Sequence, residues 1–285
     1  MLGNGIMQTT TPRRMENSHP DRLWRRWRRS GKALLREVAT LGIRCRTSSD
    51  ALAIHDWRAA LRRLNLLLRI GRTSMEHPRL VAKVRLWISQ MTTRTSRLRD
   101  YDSALGWLRM HQAPDSVCQE LEKRRQALWR RNRKTWTQMP ARWSRRLLKF
   151  KKQSVAAARL ALRHRKTTSR QQTTVTQCCG NGPTLASAAQ HDLRRAVRRW
   201  RYLVELELPP RQQAENADLA ILVTTQRVLG QDRTLELTDH LMKQAKPSPE
   251  WQRWRKRIAT ERRTQQRQVR LAIIRVARLS LPRKK

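Results

Sequence analysis

The stretch IHDWRAALRRLNLLLRI, Ile54 to Ile70, holds apolar and cationic residues at spacings that a helix reconciles. At about 100° per residue, His55, Arg58, Arg62 and Arg69 fall within roughly 60° of one another. Ile54, Trp57, Leu61, Leu64, Leu67 and Leu68 fill the opposite arc. One face is greasy, and the other is a cationic stripe about 20 Å long at 1.5 Å rise per residue. A second stretch, HDLRRAVRRWRYLVELE, His191 to Glu207, repeats the arrangement. There His191, Arg194 and Arg198 align and Arg195 and Arg201 flank them. Leu193, Val197, Trp200, Leu203 and Val204 form the apolar face. The two histidines stand 136 positions apart, which reads as an internal duplication, not a short solenoid repeat.

Outward from these two segments the pattern stays helical, and the expected class is all-α. Ser18 and Asp21 have the spacing of a capping box, opening a helix over 22–41. Thr47 and Asp50 repeat it ahead of the His55 helix. Pro78 opens a third helix, with Leu80, Val81, Val84, Trp87, Ile88 and Met91 on one face. A helix containing DYDSALGWLRM follows. Then comes a very basic helical region over 121–138, broken at Pro140. Residues 164–184 are rich in Thr, Gln and Gly and read as a linker. The second histidine helix stops at Pro209-Pro210, and helices are expected over 214–229, 232–245 and 250–279. In each half an acidic residue falls at a helix junction, Asp100 in the first and Asp232 in the second. The expected organisation is a disordered leader over 1–17 and one helical domain over 18–285. Within the domain a first repeat runs over about 18–163, a linker over 164–184, and a second repeat over about 185–285.

Lysine and arginine number 64 against 21 acidic residues, a formal net charge of +43. Solubility needs only about 2–8 net charges in a small domain. Charge this large opposes compaction unless a polyanion neutralises it. The stripes are arginine, whose forked guanidinium suits phosphate oxygens. Candidate partners are therefore nucleic acid, an anionic membrane surface or inorganic polyphosphate. Eleven Trp accompany one Phe and two Tyr. Trp57, Trp87, Trp107 and Trp200 sit where Leu would serve and read as core or boundary residues. Cys45, Cys118, Cys178 and Cys179 form no CxxC, so a reduced cytoplasm is expected, with no metal and no cofactor. No apolar run reaches the roughly 18–20 residues of a membrane span.

The two HxxRxxxRR segments, with SRLRDYDSAL after the first, resemble the motifs of CHAD domains, the conserved-histidine α-helical domains. The resemblance spans about 50–245. It implies two related antiparallel helical bundles with pseudo-two-fold symmetry around a shared basic cleft. It also implies binding of inorganic polyphosphate, with possible association with polyphosphate granules. Carried onto this chain, the binding residues would be His55, Arg58, Arg62, Arg63, His191, Arg194, Arg198 and Arg199, with Arg69, Arg195 and Arg201 secondary. A linear polyphosphate has charge at every unit and no bases, so it calls for a long cationic groove without aromatic readout.

The main rival is general RNA binding, for which RRWRR around Trp24 and Trp27 could stack bases, so RNA is kept as a secondary polyanion. A phosphate enzyme is disfavoured. ELELP at 205–209 only superficially mimics a metal-holding ExExK, and no P-loop is present. Nothing in the sequence bears on oligomeric state.

Overall fold

A computed structural model describes residues 19–147, 149, 153–180, 185–244 and 249–281. The expected leader over 1–17, and the Ser18 end of the first capping box, lie outside the described residues. Those described form eleven α-helices, one 3-10 turn and no β-strand, so the chain is all-α. In order they are α1 (His19–Thr47), α2 (Ala51–Gly71), α3 (Pro78–Arg94), α4 (Ser96–Met110), α5 (Asp115–Arg133) and α6 (Ala141–Leu147). They continue with α7 (Gln153–Cys179), α8 (Ser187–Glu207), α9 (Pro210–Glu215), α10 (Ala217–Lys243) and α11 (Pro249–Ser280).

The two histidine helices are α2 and α8. On α2 the greasy arc is fully enclosed, with Ile54, Trp57, Leu61, Leu64 and Leu68 at most 1% exposed. Each such side chain contributes roughly 1.5–3 kcal/mol of burial, which holds the helix against α1 and α3. Trp57 donates its indole N–H to the Val38 carbonyl at 3.1 Å, and Trp27 does the same to Leu67 at 3.1 Å. Gly71 is required by that second ring: a Cβ there would fall 2.1 Å from Trp27 Cζ2. Trp24 and Trp27 stack on each other at 5.5 Å and are buried. The RRWRR segment therefore offers no base-stacking platform, because its indoles are core. Trp57, Trp87 and Trp200 are buried as expected, and Trp107 is half-buried, stacked on His111 and edge-on to Trp254.

Three apolar cores divide the molecule. The first gathers α1, α2, α3 and the start of α7. The second joins α4 and α5 to the end of α10 and the start of α11. The third packs α8 against α10, the end of α7 and the end of α11. Between these cores α10 packs against both α8 and α4, and α4 against α2.

Four local expectations need correction. Thr47 is the last residue of α1, and Asp50 alone caps α2, accepting from Leu52 N at 2.9 Å and pairing with Arg44 at 2.7 Å. Helix α5 ends at Arg133, and the chain then carries Trp136 into the first core instead of continuing to Pro140. The supposed linker is helical as far as Cys179. Its inward positions His164, Gln171 and Val175 continue the buried row of Ala157, Leu160 and Ala161, and packing on α8 and α11 overrides the polar composition. Its hydroxyls bond back to the helix's own carbonyls, as Thr174 does to Arg170 at 2.8 Å. Finally, α10 runs unbroken through Gly230 and Asp232, so Asp232 marks no junction.

Candidate polyanion cleft

The α2 and α8 stripes face one another. Arg62 is the shared neighbour: its charge acts on Arg58 of its own helix, on Arg99 of α4, and on Arg194 and Arg198 of α8. Burial first, and then repulsion from neighbouring arginines, holds the guanidinium groups of Arg58, Arg99, Arg194 and Arg198 below the ordinary arginine value. Arg58 is pushed down to about 10 and Arg198 to about 9, with Arg194 and Arg99 also lowered. All remain cationic at neutral pH. Among the described residues, the buried Nε atoms of Arg58, Arg62 and Arg194 find no hydrogen-bond partner. Desolvated cations with free donors are costly to hold, and a bound anion relieves that cost.

Helix α4 is set against the stripe by Arg58, which donates to the Thr92 carbonyl and to Thr95 Oγ1, where α3 gives way to α4. The same junction presents Asp100 among Arg233, Arg58, Arg99 and Arg194, although burial still raises its carboxyl above the usual range. From the other side α10 brings Arg233 and Gly230. A Cβ on Gly230 would lie 4.0 Å from Arg194 Nη2, so the α10 backbone borders the guanidinium directly.

His55 and His191 lie at the opening ends of their helices, half-buried and exposed respectively. His55 pairs through Nδ1 with the adjacent Asp56 at 3.2 Å. Both imidazoles are held below 6.5, by burial first and next by Arg99 for His55 and Arg195 for His191.

The remaining expected residues separate into two groups. Arg69, Arg195 and Arg199 lie beyond the central cluster: Arg199 acts on Arg69, and Arg195 acts on Arg199 and His191. Arg63 and Arg201 are instead committed to Glu205, at 3.5 and 3.0 Å, and both lie over the Tyr202 ring.

Arg99 of α4 joins the cluster without being among the expected residues, and Arg233 of α10 borders it while paired with Glu236 at 2.7 Å. Each stands beside an aspartate that was singled out, Asp100 and Asp232, so the signal was present one residue away. The aspartates themselves differ. Asp232 is buried and accepts from Gln266 Nε2 at 2.8 Å, with Arg262 at 3.7 Å, tying α10 to α11. Its counterpart by contact is Asp102, which ties α4 to α5 through Arg125 at 2.5 Å.

The fold and this cluster of charges define a helical domain with arginines gathered from several helices. The sequence profile of the CHAD domain matches residues 29–243. The chain belongs to the CHAD family. Among solved structures it is similar to the CHAD domain from the plant Ricinus communis. That match has a TM-score of 0.63 and 18% identity, covering 88% of this chain and 91% of that one. It is also similar to PptA from Streptomyces chartreusis, with a TM-score of 0.54 and 14% identity, covering 88% and 99%. No curated protein matches the sequence. None of the described helices is long and apolar enough to cross a membrane.

Proposed function

We propose that the cleft binds inorganic polyphosphate. The observation that carries this reading is the cluster around Arg62: arginines of three helices, mutually repelling, with the buried Nε of Arg58, Arg62 and Arg194 lacking a hydrogen-bond partner among the described residues. A phosphate chain supplies the missing negative charge at every unit and accepts forked hydrogen bonds along its length. Nucleic acid would supply the same charge but also bases, and base recognition on single strands relies on stacking on exposed aromatic rings. Every described Trp and Tyr is buried or half-buried, which favours the base-free polymer. In this reading the domain binds and does not turn over its ligand, and it would sit where polyphosphate accumulates in the cytoplasm, including granules. RNA is a weaker competitor drawn by the net charge. The test is displacement of labelled long-chain polyphosphate by unlabelled polyphosphate, tRNA or duplex DNA at about 0.15 M salt. Polyphosphate should displace at far lower phosphate concentration than tRNA. Equal displacement by tRNA would transfer the site to nucleic acid.

A further inference from the structure

Helix α7 carries a cationic face that the central cleft does not use. Its residues 153–179 include Arg159, Arg163, Arg165, Lys166 and Arg170 and not one acid. Arg163, Lys166, Arg170, Thr174 and Gln177 fall within roughly 80° on the helical wheel, a strip about 20 Å long. A shallow open depression of about 680 Å³ lies beside this strip on the α7 surface, lined by Arg165, Ser169 and Thr173 as well as by Lys166, Arg170 and Gln177. Helix α7 packs against both α2 and α8, locked by the buried His164, whose Nε2 meets the Leu203 carbonyl at 3.1 Å. That docking brings the strip beside the outer ends of the two stripes. Arg69 of α2 feels the charges of Arg199, Arg85, Arg170 and Arg163, with no carboxylate among these principal influences, and the charge of Arg170 also acts on Arg199. Four helices therefore contribute to a second arginine cluster, next to the first, and α7 continues it outward.

We propose that α7 is a third wall of the anion track: a polyphosphate longer than the central cleft passes Arg69 and Arg199 and lies along the Arg163–Arg170 face. This rests on the polyphosphate reading of the cleft. It makes the domain select for chain length, because a short chain is satisfied around Arg62 while a long one gains contacts on α7.

Arg163 and Arg170 are exposed, so Arg163→Ser with Arg170→Ser should fold normally. The comparison is a variant with the same charge loss elsewhere, Arg130→Ser with Arg131→Ser on α5. Each protein is titrated with tripolyphosphate and with long-chain polyphosphate. For the α7 variant, long-chain affinity should fall about tenfold, and its log-log salt slope should drop by roughly 1.4 at about 0.7 per lost contact. Tripolyphosphate affinity should stay within about twofold, as should both affinities in the α5 variant. Equal loss for both ligands, loss matched by the α5 variant, or no loss would overturn the third wall while leaving the cleft intact. If the unaltered protein binds neither polymer, the cleft reading falls first and this inference with it.

Discussion

Arg62 and Arg63 are adjacent in sequence and about 100° apart on α2, yet they stand in opposite electrostatic settings. Arg63 reaches Glu205 on α8 and lies 5.1 Å over Tyr202, sharing that carboxylate with Arg201. Arg62 acts by its charge on Arg58, Arg99, Arg194 and Arg198, and its Nε finds no partner among the described residues. One arginine is a structural clasp between helices. The other belongs to the proposed polyphosphate site. The lesson is that a basic motif does not act as a block: helical phase and the position of a single glutamate decide which of its cations remain available to a ligand.

The largest effect should come from reversing charge on the available side. Arg58→Glu with Arg62→Glu, or Arg194→Glu with Arg198→Glu, should each weaken polyphosphate binding by at least about a hundredfold, since charge-assisted hydrogen bonds contribute roughly 1.5–3 kcal/mol apiece. Either pair alone should suffice, because half a groove holds the polymer poorly. Reversing Arg130, Arg131 and Arg133 on α5 is the control. An equal loss there would reduce the cleft to ordinary surface charge.

Next in size is the response to salt. Five or six engaged arginines predict a log-log slope on the order of −4, at about 0.7 per neutralised phosphate. A flat response would remove counterion release as the driving force.

How far the two settings could be read from sequence differs in the same way. The helical phase of α2 and α8, the enclosed apolar arcs and the cationic stripes are local properties, visible at 3.6-residue periodicity. The partners are not local. Glu205 is 142 positions from Arg63, and nothing near Arg63 announces it. The polar stretch over 164–179 reads as linker because its core-facing positions are His164, Thr168, Gln171 and Val175, only one of them strongly apolar. Tertiary packing makes it helical. The junction expected at Asp232 is likewise absent: α10 continues through it, packed between α8 and α11.

A smaller effect concerns the histidines. In the free protein burial and neighbouring arginines hold His55 and His191 below 6.5, so both are neutral at pH 7.5. A bound polyanion reverses the local potential and raises both values. The complex therefore takes up protons, and affinity should rise as pH falls from about 8 to 6, by roughly three- to tenfold. The His55→Gln, His191→Gln double variant should lose most of this rise with little change in Tm, since the His55 imidazole pairs with the adjacent Asp56 of its own helix and so ties no helix to another. A lowered Tm with the pH profile retained would assign these histidines to packing instead.

The smallest effect belongs to the clasp. Arg63→Gln leaves Arg201 on Glu205, and the Arg63 side chain is 41% exposed, so solvent screening limits the loss to about 0.5 kcal/mol. Thermal unfolding should show Tm lower by about 1–2 °C.

The most direct measurement sets the two neighbours against each other: calorimetric titration of long-chain polyphosphate into Arg62→Gln and Arg63→Gln at about 0.15 M salt. Both variants lose one positive charge from adjacent positions on the same helix. The account predicts that Arg62→Gln weakens binding about tenfold or more, while Arg63→Gln stays within about twofold of the unaltered protein. Equal losses would show that the polymer responds to net charge alone and that the cleft around Arg62 is not its site.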